Sequence, residues 1–234
     1  MSIRKTTLSY TGQPRPAPSW ARILPFAIYL VFIVIADMLG RMGWDSQRLR
    51  WLYAVKIAAV VGALVAFRHS YAELAWQSPG WRNGAIAVAT GALVFALWIA
   101  LDADWMQVGS AAGFDPRNET GRIDWLLVAV RIAGAALVVP VMEELFWRSF
   151  LLRWIHDADF LRVRPAAVGI KAFAVSVVLF GFEHNLWLAG IVAGAAYTVL
   201  YMRSQNLWTA IIAHGVTNGV LGVWVVSTGS WHYW

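Results

Sequence analysis

Residues 125–155 read WLLVAVRIAGAALVVPVMEELFWRSFLLRWI, an apolar run that carries Glu143, Glu144 and Arg148 in its second half. A helix of about 20 apolar residues crosses the hydrocarbon core of a bilayer, so this stretch is long enough to span a membrane. Ionisable side chains at that depth cost on the order of 2.5–3.5 kcal/mol each, and for this reason they usually mark functional sites. The stretch therefore predicts a membrane helix with a reactive site inside it.

The composition of the whole chain also predicts a membrane protein. Of its 234 residues, 59% are hydrophobic and only 14% are charged, whereas soluble domains carry about 25% charged residues. The fifteen tryptophans agree, because indole rings favour the membrane–water interface. The absence of cysteine excludes disulfides, thiolate metal ligands and a cysteine nucleophile.

Further apolar runs accompany this stretch along the chain. They cover residues 23–40, 51–67, 84–101, 166–183, 186–202 and 207–226. With 125–155 they predict an all-α fold, a polytopic membrane bundle of seven transmembrane helices, or eight if the long fourth segment breaks. Because no internal repeat is visible, we expect a single membrane-embedded domain over residues 23–234, preceded by a tail of residues 1–22.

The charge distribution predicts the orientation of the chain. The net charge of +6 comes without a basic run or a nucleic-acid motif, so we expect no nucleic-acid partner. Residues 1–22 carry four cations and no acid, which predicts a cytoplasmic N-terminus. The acidic loop 102–124 is then external and the basic segment 148–164 cytoplasmic, although three arginines between residues 41 and 50 oppose this arrangement.

Polar pairs at helical spacing occur in three of the apolar segments. They are Glu144/Arg148, Phe180/His184 and His214/Asn218. Residues four apart share one helix face, so the members of each pair lie together. Glu143 points about 100° away from Glu144 around the helix. Glu144 can therefore form a salt bridge with Arg148 while Glu143 faces the interior of the bundle.

The depths of these groups are compatible with one site. At 1.5 Å per residue, Glu143 lies about 20 Å from His156 at the cytoplasmic end of its helix. From the same side, His184 lies about 24 Å and His214 about 12 Å into their own helices. A fourth helix that ended before Glu143 would place it opposite His184, so we predict one continuous fourth segment, bent at Pro140.

The ordered set of motifs resembles a known family. In sequence order it consists of Glu143-Glu144-x-x-x-Arg148, Phe180-x-x-x-His184 and His214-x-x-x-Asn218. On separate membrane segments this set resembles the CAAX prenyl endopeptidases, also called CPBP or abortive-infection membrane proteases. The resemblance lies within a core of residues 125–228. The string of residues 138–148 also resembles a bacterial branch found beside exosortase-type sorting systems.

The resemblance implies an intramembrane endopeptidase that hydrolyses a peptide bond of a membrane-associated protein or peptide. Glu143 and His184 would activate the attacking water, and His214 and Asn218 would stabilise the oxyanion. It implies supporting roles for Glu144, Arg148 and Phe180. With the positive-inside pattern, it also implies an integral protein of a bacterial inner membrane.

The need for a cofactor is open at this stage. Glu143, His184 and His214 offer three nitrogen or oxygen ligands, a usual catalytic zinc set when water is the fourth ligand. No H-E-x-x-H pattern is present, so we expect a metal-free site, with a divalent metal such as zinc as the alternative. Two other functions compete with proteolysis: a transporter or proton relay that uses buried acids and histidines, and a non-catalytic membrane scaffold.

Several features outside the motifs receive structural interpretations. We expect mutual ion pairs or snorkelling for the charged residues in or near spans, which are Asp37, Lys56, Arg131 and Lys171. Glu183, beside His184, either faces away from the site or accepts a hydrogen bond behind it. The small-residue runs 84–91 and 190–196 are typical of helix-packing faces.

Overall fold

The computed structural model describes residues 19–109 and 113–234. Its long helices are α1 (Trp20–Arg41), α2 (Leu52–Ala66), α3 (Gly80–Ala100), α4 (Trp125–His156), α5 (Ile170–Phe182), α6 (Trp187–Ser204) and α7 (Leu207–Thr228). The described residues form no β-strand, and their one isolated bridge joins Arg117 to Ile123. The predicted all-α fold is confirmed.

Five of these segments are long and apolar enough to cross a membrane. They are Trp20–Arg41, Gln47–Ala66, Gly80–Ala100, Trp125–His156 and Leu207–Thr228. Helix α5 has only 13 residues, about 20 Å of helix, and is shorter than the bilayer core of about 30 Å. The chain is an integral membrane protein, and the predicted seven spans correspond to seven helices of unequal length.

Helix α4 is continuous over its 32 residues. This confirms the prediction that the fourth segment is one continuous helix, and it excludes the alternative of an eighth span formed by a break in this segment. Two π-helical segments, Gly134–Val138 and Leu145–Leu151, flank the turn that carries both motif glutamates. Pro140 cannot donate a backbone hydrogen bond. The carbonyl oxygen of Ala135, more than one turn earlier, accepts instead from Nδ2 of Asn218 at 2.9 Å. The irregularity of α4 thus fixes a motif residue of α7.

Small residues allow the motif helices to pack closely. A methyl group on Gly91 of α3 would overlap the carbonyl oxygen of Ala213 on α7. A methyl group on Gly190 of α6 would lie 3.0 Å from the backbone of Gly181 on α5. These contacts confirm the predicted packing role of both runs, although Gly84 itself faces open space. The close approach holds α7 against α3 and α5 against α6.

Large apolar side chains cover much of the outer surface. Examples on six different helices are Val34, Met38, Val55, Leu93, Leu137, Phe182 and Val223. In water such a surface would be an aggregation hazard, whereas lipid tails are as apolar as these side chains. The outward faces of the helices therefore suit a bilayer.

A buried ion cluster around Glu73 ties the start of α1 to α4. Nε and Nη2 of Arg22 donate to the two carboxylate oxygens of Glu73 at 2.7 and 2.8 Å. The hydroxyl of Ser149 also donates to this carboxylate, and Nη2 of Arg153 donates to that hydroxyl at 2.6 Å. We call these four residues the Glu73 cluster. Arg22 and Arg153 are thus buried structural partners, although the orientation argument treated them as surface charges.

The predicted boundary of the N-terminal tail shifts slightly. Helix α1 begins at Trp20, so the last three residues of the predicted tail 1–22 are helical. Residues 1–18, which carry the other tail cations, lie outside the described residues. The cytoplasmic position of the N-terminus stays a prediction.

Candidate active site

One cavity of about 190 Å³ brings the predicted catalytic residues together. Glu143 from α4, His184 from the end of α5, and His214 and Asn218 from α7 all line it. Phe180 lines it as well. The sequence-derived depths had placed these groups within about 12 Å of one another, and the tilt of the helices and the bend of α4 close the remaining gap.

Glu144 sits beneath the cavity in a buried ion pair. Its Oε1 accepts from Nη1 of Arg148 at 3.1 Å, as the i, i+4 spacing predicts. Nη2 of Arg148 donates to the carbonyl of Gly194 at 3.4 Å, and the guanidinium lies 4.2 Å from the ring centroid of Phe180. Both charged groups are almost fully buried. The pair therefore joins α4 to α5 and α6 directly below the site.

The same Glu144 oxygen fixes the tautomer of His214. Nδ1 of His214 lies 3.0 Å from Glu144 Oε1, and a carboxylate only accepts, so Nδ1 carries the hydrogen. Nε2 lies 4.0 Å from Oε2 of Glu143. In the neutral ring Nε2 is an acceptor, and it donates only in the imidazolium form. The ring of Tyr197 stacks on the imidazole at 5.1 Å, so the plane of His214 is fixed as well.

His184 is held by the motif residue one turn earlier. Its Nδ1 lies 2.8 Å from the carbonyl oxygen of Phe180, which only accepts, so Nδ1 carries the hydrogen and Nε2 keeps its lone pair. The ring packs edge-on against Trp98 at 5.3 Å. The Phe180-x-x-x-His184 spacing thus sets the tautomer of the histidine.

Glu143 presents an unpaired oxygen. The residue is only 4% exposed, and no hydrogen-bond donor of the described residues reaches its Oε2. A buried acceptor without a donor is costly. The 4.0 Å between this oxygen and Nε2 of His214 is too long for a direct hydrogen bond, so the oxygen can accept from a water.

Glu183 faces the site rather than away from it. Its Oε2 accepts from the indole nitrogen of Trp147 at 2.9 Å. Together with Glu143 and His184 it lines a second cavity, of about 570 Å³, next to the first. Of the two sequence interpretations, the hydrogen-bonded one is confirmed. The donor Trp147 lies in the motif stretch but belongs to no motif position.

Residues of the first three helices complete the cavity, although these helices carry no motif. They include Tyr29 of α1, Tyr53 of α2 and Trp98 of α3. Thr217 of α7 also lines the cavity, and it accepts from the hydroxyl of Tyr197 at 2.7 Å. No local pattern identifies these residues, because each meets the site through tertiary packing alone.

The charged residues expected to pair with one another do not do so. Asp37 bonds Arg41 at 2.8 Å on the surface. Lys56 instead lies 3.8 Å from the ring centroid of Tyr29. Arg131 lies in the same way over the ring of Tyr53, at 4.3 Å, and Lys171 is exposed at the start of α5. The prediction of mutual ion pairs is therefore wrong. For Lys56 and Arg131, aromatic rings take the place of carboxylates.

The predicted zinc ligands fit a metal poorly. Glu143, His184 and His214 each offer an atom of a type that zinc binds. Among the described residues, however, no three histidine, aspartate or glutamate side chains are close enough together to hold one ion. The side-chain positions thus suit a water between protein groups better than a shared cation.

Comparison with known proteins finds a family match over the motif-bearing part of the chain. The model of the family described as "Rce1-like: Type II CAAX prenyl endopeptidase Rce1-like" matches residues 124–220. The match begins at the N-cap of α4 and ends within α7, so it contains all three motifs. No curated protein and no solved structure matches this chain. The assignment to the exosortase-associated branch stays a prediction.

Proposed function

Since residues 124–220 belong to the Rce1-like family of type II CAAX prenyl endopeptidases, we propose that this integral membrane protein is a metal-free intramembrane endopeptidase that activates water with Glu143. The observation that carries the proposal is the buried Oε2 of Glu143, which has no donor among the described residues and lies in a cavity that His184 and His214 also line. Its substrate is a membrane-associated protein or peptide.

The first step is attack by water. The carboxylate of Glu143 and the Nε2 lone pair of His184 both accept hydrogen bonds from the water, which orients its oxygen toward the scissile carbonyl carbon. Glu143 takes one proton as the new carbon–oxygen bond forms. A carboxylate within hydrogen-bond reach of the proton that it removes satisfies the geometric requirement for a general base.

The second requirement is stabilisation of the oxyanion. His214 donates from Nε2 when its ring is protonated, because Nδ1 is already committed to Glu144. Glu144 holds the ring in this orientation, as a buried carboxylate orients the histidine of other hydrolases. Asn218 uses one amide hydrogen for Ala135 and has a second for the oxyanion. Such preorganised donors usually supply the largest part of the rate enhancement.

Collapse of the tetrahedral intermediate completes the reaction. The carbon–nitrogen bond breaks, and Glu143 returns its proton to the leaving amine. The products are a carboxylic acid, which then releases its proton to the amine or to water, and an amine, and the Glu143 carboxylate is regenerated. No group of the enzyme is consumed, so each cycle uses one water.

Access to the site is lateral. The second cavity, which Glu143 and His184 share, is also lined by Tyr29 and Ile33 of α1 and by Trp234 near the α3–α4 loop. A substrate held in the bilayer therefore enters beside α1. With a cytoplasmic N-terminus this opening lies toward the external half of a bacterial inner membrane, so entry from the cytoplasmic side is less favoured.

A cleavage experiment tests the proposal. Purified protein is reconstituted into liposomes with solubilised membrane proteins of its source cell, and new peptide N-termini are identified by mass spectrometry. Wild type and the surface variant Arg162→Gln should produce the same new N-termini, and Glu143→Gln should produce none. Equal cleavage by Glu143→Gln, or no cleavage by folded wild type, would contradict the proposal.

A further inference from the structure

A groove of about 910 Å³ opens between α1 and α2 beside the catalytic cavity. Phe32 and Ile33 give it an apolar wall. Tyr53, Arg131 and Trp234 line both this groove and the catalytic cavity. A chain lying in the groove would thus continue directly into the proposed site.

Two cations in the groove have no acidic partner. The guanidinium of Arg131 lies over the rings of Tyr53 and Phe114 at 4.3 and 5.4 Å, and its buried Nε has no hydrogen-bond acceptor among the described residues. Nζ of Lys56 lies 3.8 Å from the ring centroid of Tyr29. All 13 acids of the chain fall within the described residues, and none forms a salt bridge with either cation.

The acids that do face the groove are already neutralised. Asp37 pairs with Arg41 at 2.8 Å, and Asp115 pairs with Arg117 at 2.5 Å. Arg50, a third cation of the groove, donates to the side chain of Gln47. The groove therefore has an excess of positive charge, and a partly buried cation without a counter-ion is costly. An anion that binds here would remove this cost.

The chemistry of the site favours a carboxylate on an apolar peptide. The planar guanidinium matches the two oxygens of a carboxylate, and the apolar wall accepts neighbouring hydrophobic side chains. On α4, Arg131 precedes Glu143 by about 18 Å of helix, which corresponds to about five residues of extended chain. We propose that Arg131, with Lys56 beside it, binds a carboxylate of the substrate within about five residues of the scissile bond; this inference rests on the proposed function.

Binding of matched peptides tests the inference without any need for cleavage. The first pair is N-acetyl-trileucine with a free carboxylate and the same peptide as the amide. The second pair is N-acetyl-Leu-Glu-Leu-amide and its Gln counterpart, which places the carboxylate on a side chain. Titration calorimetry in detergent, on wild type and on Glu143→Gln, should show that the acid of at least one pair binds roughly tenfold more tightly than its neutral partner.

Substitutions in the groove test whether a preference for the acidic peptide arises there. Arg131→Gln should bring the acid-to-neutral ratio to within about twofold of unity, Lys56→Gln should lower it less, and Arg131→Lys should retain part of it. The surface control Arg162→Gln should leave the ratio unchanged. If Arg131→Gln does not fold, the wild-type pairs and Lys56→Gln decide the question.

Two results would overturn the inference. One is equal binding of the acidic and the neutral peptide in both pairs, which would mean that Arg131 does not recognise a carboxylate of the substrate. The other is displacement by dodecyl phosphate at lower concentration than by any acidic peptide, which would identify a lipid phosphate as the ligand. Because binding is measured apart from turnover, neither result depends on whether the protein cleaves peptides.

Discussion

The Glu73 cluster and the Glu144 site are both buried ion clusters that include residues of α4, and they differ in how fully their polar atoms are used. In the Glu73 cluster both carboxylate oxygens accept from Arg22, and one also accepts from Ser149. In the site, one oxygen of Glu144 serves two donors, while Oε2 of the adjacent Glu143 has no donor among the described residues. The carboxylate of the first cluster is saturated and the carboxylates of the second are not, although Nη1 of Arg22 also has no acceptor among the described residues.

The difference separates stability from chemistry. A saturated carboxylate has no oxygen left for a ligand, and its removal leaves its donors unpaired, so its contribution is to folding. An unsaturated carboxylate beside a cavity costs folding energy and is available to a substrate or water. Substitution of Glu143 and substitution of Glu73 should therefore have opposite consequences.

The largest expected effect is on the rate of peptide cleavage. Glu143→Ala and His184→Ala should each lower the initial rate by about 10²–10⁴-fold, the usual contribution of general acid–base catalysis. The melting temperature should hold for Glu143→Ala, because the removed oxygen has no protein partner. Initial cleavage rates, measured on a substrate that has been identified from its new N-terminus, test this prediction. Near wild-type cleavage by either variant would refute the assigned roles.

The next largest effect concerns the ion pair beneath the site. Arg148→Ala and Glu144→Gln should each lower the free energy of unfolding by about 3–5 kcal/mol, because each leaves a buried partner without its counter-charge. Denaturant unfolding in detergent measures the change, and Arg162→Ala, at an exposed pair, is the control. A fully stable Arg148→Ala protein with a reduced rate would instead indicate that Arg148 contacts the substrate.

Much of the Glu144 site can be predicted from the sequence alone, whereas the Glu73 cluster cannot. The i, i+4 spacings place Glu144 on Arg148 and His184 on Phe180 because a helix repeats every 3.6 residues. Arg22 and Glu73 are 51 residues apart, and Glu73 lies in a short connection between helices. No periodicity links two such positions, so only the packed structure reveals their contact.

The prediction of the fold from the sequence has the same limit. Apolar runs predict where helices lie, yet they overestimate the length of α5. The apolar run 166–183 begins four residues before the helix, which covers Ile170–Phe182. Pro165 immediately precedes the run and Gly169 falls in this part of it, and residues Pro165–Ala167 form a short 3₁₀ turn rather than an α-helix. The hydrogen-bond choices of His214 and the aromatic contacts of Lys56 depend on neighbours from other helices. Tertiary packing decides them.

A smaller effect is expected at the Glu73 cluster, and it depends on pH. Burial alone would raise the pKa of Glu73, but the hydrogen bonds and charge of Arg22 outweigh burial and hold this pKa below its usual 4.5. Ionised Glu73 therefore stabilises the fold above about pH 4.5, and the stabilisation is lost as the pH falls through the folded-state pKa.

Glu73→Gln should accordingly lower the free energy of unfolding by about 1–3 kcal/mol at pH 7. The difference from wild type should shrink in acid. Melting temperatures of both proteins in detergent at pH 7 and near pH 4 check this. A difference that is constant or grows toward acid pH would show that the charge of Glu73 is not what stabilises the cluster.

The smallest expected effect is that of metal removal. Because Glu143, His184 and His214 are not grouped as a shared ligand set, chelation and dialysis should leave the cleavage rate unchanged. Elemental analysis of active protein provides the companion measurement. About one zinc per chain, lost together with activity and restored by added zinc, would replace the water mechanism with a metal mechanism.

The most direct test compares the same substitution in both clusters. Glu143→Gln and Glu73→Gln are purified in parallel, and each is assayed for cleavage rate per folded molecule and for melting temperature. We predict that Glu143→Gln loses cleavage and keeps its melting temperature, whereas Glu73→Gln melts earlier and keeps its rate. If Glu143→Gln cleaves like wild type, or if both variants lose rate and stability together, the distinction between a catalytic and a structural cluster is wrong.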